Sequence, residues 1–136
     1  TQSLVHYLVR SASAGANYLL NVGPIETGEI LPIHASRLRA VGEWLKDNAE
    51  SVYGTRAGII APTPDMVSTR SGDTHYVHIL NYMSDWVSLP NVPETVKQAH
   101  LLRNGATVQM EHCDDKLVLC VPEEQRDPIN SVVVLS

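Results

Sequence analysis

The sequence has few cysteines, no long apolar stretch and no excess of positive charge. Cys113 and Cys120 are the only cysteines, which excludes a disulfide-stapled scaffold and a C-x-x-C metal or redox site. No run of 18 apolar residues exists, and the opening residues Thr1 to Leu4 lack the basic start of a signal peptide. We therefore expect a chain that neither spans a membrane nor carries its own targeting signal.

The charge balance disfavours nucleic acid as a partner. The net charge is -5 and the isoelectric point is near 5.6, so no basic face is available for a phosphate backbone. No Asn is followed two residues later by Ser or Thr, which excludes N-glycosylation within this sequence. The hydrophobic content of 43% predicts a folded core, but 136 residues are too few for a complete eight-fold α/β barrel.

Residues 1–56 have the pattern of an α/β repeat. Apolar residues at helical spacing predict a helix over residues 2–14, which Gly15 ends. Residues 17–22 are mostly apolar and predict a strand that is covered on both faces, as parallel strands are. Pro32 then starts a second helix over residues 33–49. The buried stripe predicted for this helix comprises Ala35, Leu38, Val41, Gly42, Leu45 and Ala49.

Residues 57–136 have a different pattern, with short β-rich runs between turn residues. Six strands are predicted, over residues 74–81, 87–89, 98–102, 107–111, 116–121 and 131–135. Asn104-Gly105 and Asp114-Asp115 provide turns between the later strands. Short strands without a helix between them indicate an all-β antiparallel sandwich. We therefore predict two units, residues 1–56 and residues 57–136.

No catalytic or metal-binding set stands out among the residues. His75 and His78 are three apart on a predicted strand and point to opposite faces, so they cannot share an ion. The pairs Asp114-Asp115 and Glu123-Glu124 are adjacent, whereas glycosidase chemistry needs two carboxyl groups on opposite sides of a substrate. We therefore predict no catalytic residue, no metal site and no cofactor in this chain.

Three aromatic residues lie within eleven positions of one another. Tyr76, Tyr82 and Trp86 could together form a platform on which a sugar ring stacks. Packing in the core, or between the two units, is the favoured explanation of the same residues.

The order of residues resembles the C-terminal part of α-L-fucosidases, family 29 of the glycoside hydrolases. The resemblance is carried by NYLLNVGP at 17–24, RLRAVGEWLK at 37–46, YGTR at 53–56, YVHILN at 76–81 and LVLCVP at 117–122. Gly28, Pro32 and Asp127 fit the same pattern, whereas Thr27 replaces an acidic residue and Ile33 replaces a frequent proline. Both departures fall in one turn and leave the resemblance intact.

The resemblance implies an α/β fragment of a (β/α)8-like barrel followed by a β-sandwich. It implies hydrolysis of a fucosylated glycan with retention, by two carboxylates that lie on earlier barrel strands and match no position here. The chain alone is then expected to be inactive and to need the remainder of the barrel, or another copy of itself, beside it. Asn21, Gly23 and Pro24 are the positions expected near the sugar pocket, and a periplasmic or secreted location is favoured.

A second hypothesis comes from another class of protein. A β-sandwich that exposes Trp86, Tyr76 and Tyr82 could serve as a non-catalytic carbohydrate-binding or interaction module. The two hypotheses differ in what residues 17–22 require. A barrel strand needs neighbours that this chain does not contain, whereas a self-contained module needs none.

Overall fold

The computed structural model describes all residues from Thr1 to Ser136. It contains two helices, eight strands and two short 3-10 turns. The helices are α1 (Gln2–Ser13) and α2 (Pro32–Asn48), and the 3-10 turns cover Ala49–Ser51 and Glu123–Gln125. The strands are β1 (Arg56–Ala57), β2 (Met66–Ser71), β3 (Thr74–Ile79), β4 (Trp86–Pro90), β5 (Ala99–Leu101), β6 (Gln109–Cys113), β7 (Lys116–Cys120) and β8 (Ser131–Leu135).

The strands form two sheets in which every pairing is antiparallel. One sheet has five strands in the order β1-β2-β3-β8-β5, and the other has three in the order β4-β7-β6. The predicted antiparallel sandwich is therefore confirmed. Asp114 adopts a φ of 53° in the turn between β6 and β7, as expected for an Asp-Asp turn.

Two hydrophobic cores give the molecule three layers. The first core lies between the sheets and includes Ile79, Leu89, Leu117 and Leu135. The second core lies between the five-stranded sheet and the helices. It comprises Val5 and Val9 of α1, Trp44 of α2, and Val67, Tyr76, Leu80, Val132 and Val134 of the sheet region. The five-stranded sheet is thus covered by helices on one face and by the second sheet on the other.

Helix α1 is attached to the sandwich by polar side chains as well as by Val5 and Val9. Gln2, His6 and Arg10 are four residues apart and therefore share one helical face. The Gln2 side chain contacts the Pro128 carbonyl oxygen at 3.5 Å, and His6 Nε2 lies 2.8 Å from the Ile129 carbonyl oxygen. Both terminal nitrogens of Arg10 donate to carbonyl oxygens of residues 63 and 64. These contacts fix α1 across two loops of the sandwich.

The buried stripe of α2 differs from the prediction. Trp44 and Asn48 are its fully buried residues, Val41 and Leu45 pack beside the second core, and Gly42 is exposed. The five-stranded sheet covers only the C-terminal half of α2. Only those residues of this half that face the sheet are therefore buried. Trp44 joins helix to sandwich, since its Nε1 donates to the Asn130 carbonyl oxygen at 3.4 Å.

The strand predicted over residues 17–22 does not form in this structure. The segment has no partner strand, and Leu19 is 86% exposed. A run of apolar residues becomes a strand only when another strand accepts its backbone hydrogen bonds. The apolar pattern predicted the extended shape but could not provide the missing neighbours. Leu19 therefore does not pack against α2 as a covered strand would require.

Strands β1 and β2 were not predicted, because β1 consists of two exposed residues and the burial of β2 depends partly on polar contacts. Ser68 and Thr69 on β2 are fully buried, and their hydroxyl groups bond to the carbonyl oxygens of Ile60 and Ser51. Gly58 lies directly against Ser68, where an added Cβ would come within 2.1 Å of Oγ. Neither feature produces the apolar alternation that identifies a strand in the sequence.

A chain of buried hydrogen bonds links α2 to the sheet through His78, which has no exposed surface. Asn130 Nδ2 lies 3.2 Å from His78 Nδ1, and His78 Nε2 lies 3.3 Å from the Thr69 hydroxyl. That hydroxyl donates in turn to the Ser51 carbonyl oxygen at 2.6 Å. Burial lowers the pKa of His78 to about 4. The imidazole is therefore neutral, accepting at Nδ1 and donating at Nε2.

Removing the Trp44 side chain should destabilise the 136-residue chain. Trp44→Ala opens a cavity in the second core, so we expect a loss of about 3 to 5 kcal/mol in the free energy of unfolding, measured with urea. Leu19→Ala is the matched control, and the exposure of Leu19 predicts no change beyond about 0.5 kcal/mol. A similar loss for both variants would contradict the assigned packing.

Acid should weaken the junction at His78. Its folded pKa lies below the unfolded value of 6.5, so the unfolded state binds the extra proton first as the pH falls. The contribution of His78 is complete above pH 6.5 and declines by about 3 kcal/mol toward pH 4. His75, whose pKa is also lowered by burial, acts in the same direction.

A titration followed by NMR checks the assignment directly, because it reports the His78 ring in the folded protein. We expect a midpoint near pH 4. The difference between wild type and His78→Gln in unfolding free energy should shrink over the same range, since the variant cannot titrate there. A midpoint close to 6.5 would show that the ring is accessible to water and not part of a buried network.

Candidate functional site

The most unusual part of the molecule is the extended segment between α1 and α2, residues 17–23. None of its backbone N–H or C=O groups takes part in a hydrogen bond with any other residue. Backbone groups of folded chains are normally paired, and a strand edge with free groups is a template for pairing. Here both edges of the segment are free.

The side chains of this segment alternate between two sides. Tyr18, Leu20 and Val22 are half-buried on the side of the helices, whereas Leu19 and Asn21 are exposed on the other side. An alternation with a period of two is that of a β-strand. The segment therefore already has the shape and facing of a strand without its neighbours.

Two open clefts flank the segment, which shows that its contact with the helices is loose. The cleft of about 150 Å³ near its end is lined by Leu4, Leu20, Asn21, Val22, His34, Arg37 and Leu38. A wider cleft of about 340 Å³ lies near its start, where Tyr18 faces Leu8 and Val52. In the smaller cleft, Arg37 at the start of α2 places a fixed positive charge in the lining that it shares with His34 and Asn21. Neither His34 nor Arg37 stands out in the sequence as a site residue.

Gly23 and Pro24 are exposed and lead into a tight loop. Pro24 forms an isolated bridge with Ile30, and the Ile25 N–H donates to the Glu29 carbonyl oxygen at 2.8 Å. Gly28 closes the loop with a φ of 84°, a conformation that favours glycine. Asn21, Gly23 and Pro24 therefore lie together where the extended segment ends and the loop begins.

The aromatic residues of the second hypothesis lie in three different environments. Tyr76 is 6% exposed within the second core, and its hydroxyl donates to Glu50 Oε1 at 3.2 Å. Tyr82 packs against the first core beneath the guanidinium of Arg126, which lies 4.1 Å from the ring centre. Trp86 alone is open, at 51% exposure. Closeness in sequence does not bring these rings together on one surface.

The pKa values of the two tyrosines follow from these environments. Burial raises the pKa of Tyr76, and the nearby Glu50 carboxylate raises it further. Burial also raises the pKa of Tyr82. Both phenols are therefore neutral packing groups. Neither is set up as an acid or a base near neutral pH.

One cleft brings two carboxylates near each other, but one of them has a structural role. Glu123 and Asp127 both line a cleft of about 320 Å³ beside Tyr82. Asp127 Oδ1 accepts the N–H groups of Ile129 and Asn130, and Oδ2 pairs with Arg103 at 3.1 Å. These bonds hold the turn before β8, so Asp127 is not free for proton transfer.

No group of three His, Cys, Asp or Glu side chains is arranged to hold a metal ion. Neither helix is both long and apolar enough to cross a bilayer.

Comparison with known proteins gives a consistent picture. The sequence profile of the α-L-fucosidase family matches residues 1–50. An α-L-fucosidase of Branchiostoma floridae is 43% identical over 134 residues, which cover 86% of this chain and 30% of that protein. Tissue α-L-fucosidase of Macaca fascicularis is 30% identical over 126 residues, 88% of this chain and 27% of that protein.

Solved structures extend the likeness to the whole chain. α-L-fucosidase isoenzyme 1 of Paenibacillus thiaminolyticus superposes with a TM-score of 0.90 at 32% identity, over 99% of this chain and 34% of that one. The α-fucosidase of Thermotoga maritima in complex with fucose gives a TM-score of 0.86 at 26% identity, with the same coverage of both chains. The chain thus spans about a third of each of these structures.

Proposed function

Because the chain belongs to the α-L-fucosidases and corresponds to a C-terminal portion of them, we propose that it completes an enzyme that hydrolyses terminal α-L-fucosyl linkages. The linkages are those of glycoconjugates or oligosaccharides, and the reaction proceeds with retention at the sugar. The two carboxylates of the reaction lie on parts of the enzyme outside these 136 residues. Residues 1–56 then close the catalytic barrel, and residues 57–136 form the sandwich that supports it.

The observation that carries this proposal is the unpaired segment at residues 17–23. In a (β/α)8 barrel each strand has helices on its outer side and the barrel interior on the other, with a parallel strand at each edge. Tyr18, Leu20 and Val22 face α1 and α2, which supports an outer side there. Leu19 and Asn21 then face the interior, and both free edges receive the neighbouring strands.

The distribution of exposed apolar residues supports the same proposal. Eight of the ten large hydrophobic residues that are exposed lie in the first 60 residues. They are Tyr7, Leu19, Ile25, Ile30, Leu31, Ile33, Tyr53 and Ile59. Residues 61–136 contribute only Met83 and Trp86. A concentration of exposed apolar residues in one part of a chain favours contact of that part with another part of a protein. We assign that contact to the remainder of the barrel, with pairing between two copies of this chain as the alternative.

Asn21 has a distinct place in this arrangement. It is near the carboxyl end of the proposed strand, and active sites of these barrels form at the carboxyl ends of the strands. Gly23 and Pro24 follow in the loop that rims the same end. The Asn21 amide can both donate and accept hydrogen bonds, as the hydroxyl groups of a sugar require.

Hydrogen exchange distinguishes a barrel strand from a free loop. In the 136-residue chain the amides of residues 18–22 should exchange nearly as fast as in an unfolded peptide, because they have no acceptors. In the full-length enzyme the same amides should be protected by at least about a hundredfold, since both edges are paired. The amides of β8 serve as the internal control and should be protected in both samples.

Two outcomes would contradict the strand assignment. Fast exchange of residues 18–22 in the full-length enzyme would exclude a paired barrel strand. Protection in a monomeric 136-residue chain, with its mass confirmed by native mass spectrometry, would favour the self-contained module. Protection in a dimer of the chain would instead support pairing between copies.

Substitution of Asn21 tests its place at the sugar. Asn21→Ala in the full-length enzyme should lower kcat/KM for an aryl α-L-fucoside by about tenfold or more, as expected for a lost hydrogen bond to substrate. Asn17→Ala is the matched control, because Asn17 has the same side-chain chemistry at the opposite end of the segment. Its kcat/KM should stay close to wild type. Equal losses in the two variants would contradict the placement of Asn21.

A further inference from the structure

The outer face of the three-stranded sheet is the one face of either sheet that no layer covers. On β4, Val87 and Leu89 point into the first core, so Trp86, Ser88 and Pro90 point outward. The register places Cys120 of β7 opposite Trp86, and Gln109 of β6 opposite Cys120. Residues paired across strands share a face.

The groups on this face suit a polyol. The next row, parallel to the one that begins at Trp86, runs from Ser88 through Val118 to Glu111. Ser88, Gln109 and Glu111 are all exposed and offer a hydroxyl, an amide and a carboxylate. Gln109 is two strand spacings from Trp86, about 10 Å, which is a span that a disaccharide covers.

Trp86 is held on a rigid support. The Ser84 hydroxyl accepts the Trp86 N–H at 3.1 Å and donates to the Trp86 carbonyl oxygen at 3.0 Å. Asp85, next to it, pairs with Arg126, whose guanidinium stacks on Tyr82. An indole on a fixed backbone loses little conformational freedom when a ligand binds, which favours stacking. Tyr82 and Arg126 thus act as support, whereas Trp86 is the residue open to contact.

The size and charge of the face favour a glycan over a protein. Three strands of five residues make a surface of about 17 by 10 Å, far smaller than the roughly 800 Å² that each partner buries in a stable protein interface. Glu111 and Lys116 contribute one charge of each sign to it. A neutral ligand of sugar size is therefore the occupant that fits.

We propose that this face binds a neutral oligosaccharide, with one sugar ring stacked on Trp86 and the next residue bonded to Gln109 and Glu111. The aliphatic C–H groups of a pyranose carry slight positive charge and are attracted to the negative face of the indole. The inference rests on the register and exposure of the sandwich strands and does not require the fucosidase activity.

Affinity electrophoresis of the full-length protein tests the proposal. Native gels containing fucosylated xyloglucan, a neutral polysaccharide, should retard wild type, and free L-fucose is added to all gels to occupy any fucose site of the enzyme. Trp86→Ala should bind about tenfold more weakly, whereas Trp86→Phe should keep part of the retardation. Met83→Ala, which removes an exposed apolar residue outside the face, should migrate as wild type.

Three results would overturn the proposal. They are a wild-type protein that the polysaccharide does not retard, a Trp86→Ala variant retarded as strongly as wild type, and a change of oligomeric state on Trp86→Ala. Hydrolysis of an aryl α-L-fucoside is measured on the same variants and should be unchanged. A protein that binds xyloglucan through Trp86 but hydrolyses no fucoside would contradict the proposed function while supporting this inference.

Discussion

Strand β8 is buried along its whole length, and the three layers depend on it. Val132 and Val134 belong to the core beneath the helices, while Val133 and Leu135 belong to the core between the sheets. Its backbone pairs with β3 on one edge and β5 on the other. Its neighbour β3 also reaches both cores, with Val77 and Ile79 in one and Tyr76 in the other, so the position of the helices follows from these two central strands.

The same constraint explains why residues 17–23 are presented as they are. Helices α1 and α2 are fixed on the sheet by Val5, Val9 and Trp44, and by the polar contacts of α1 with two loops. The segment between them is consequently held extended along the helices, with its other side open. The sandwich therefore keeps the helix pair in place, as the proposed contact with the remainder of a barrel requires.

Parts of this architecture could be predicted from the sequence because they depend on local pattern. The uninterrupted Val132 to Leu135 run indicates a strand buried on both faces, and the spacing of Val5 and Val9 indicates an amphipathic helix. β2 could not be predicted, since Ser68 and Thr69 are buried through hydrogen bonds to distant carbonyl oxygens. Residues 17–22 are extended but unpaired in this structure, because a strand requires neighbours that this chain does not contain and that local pattern cannot provide.

The residues of the candidate sites likewise divide into those that the sequence alone could group and those that it could not. Asn21, Gly23 and Pro24 come together because they lie within four positions at the end of one segment, so sequence alone could place them as a group. Tyr76, Tyr82 and Trp86 are also close in sequence, yet they lie in different environments. Tyr76 is in the second core, Tyr82 packs against the first core, and Trp86 is on the open face of the three-stranded sheet. Gln109 could be linked to Trp86 only through the register of β4, β7 and β6.

The central claim, that this chain completes a catalytic barrel, is tested most directly by fragment complementation. The 136-residue chain and the preceding part of the full-length enzyme are produced separately, assayed alone, and then co-expressed and assayed on an aryl α-L-fucoside. We expect no turnover by either part alone and recovery of activity in a one-to-one complex. Full activity of the preceding part without this chain would contradict the claim.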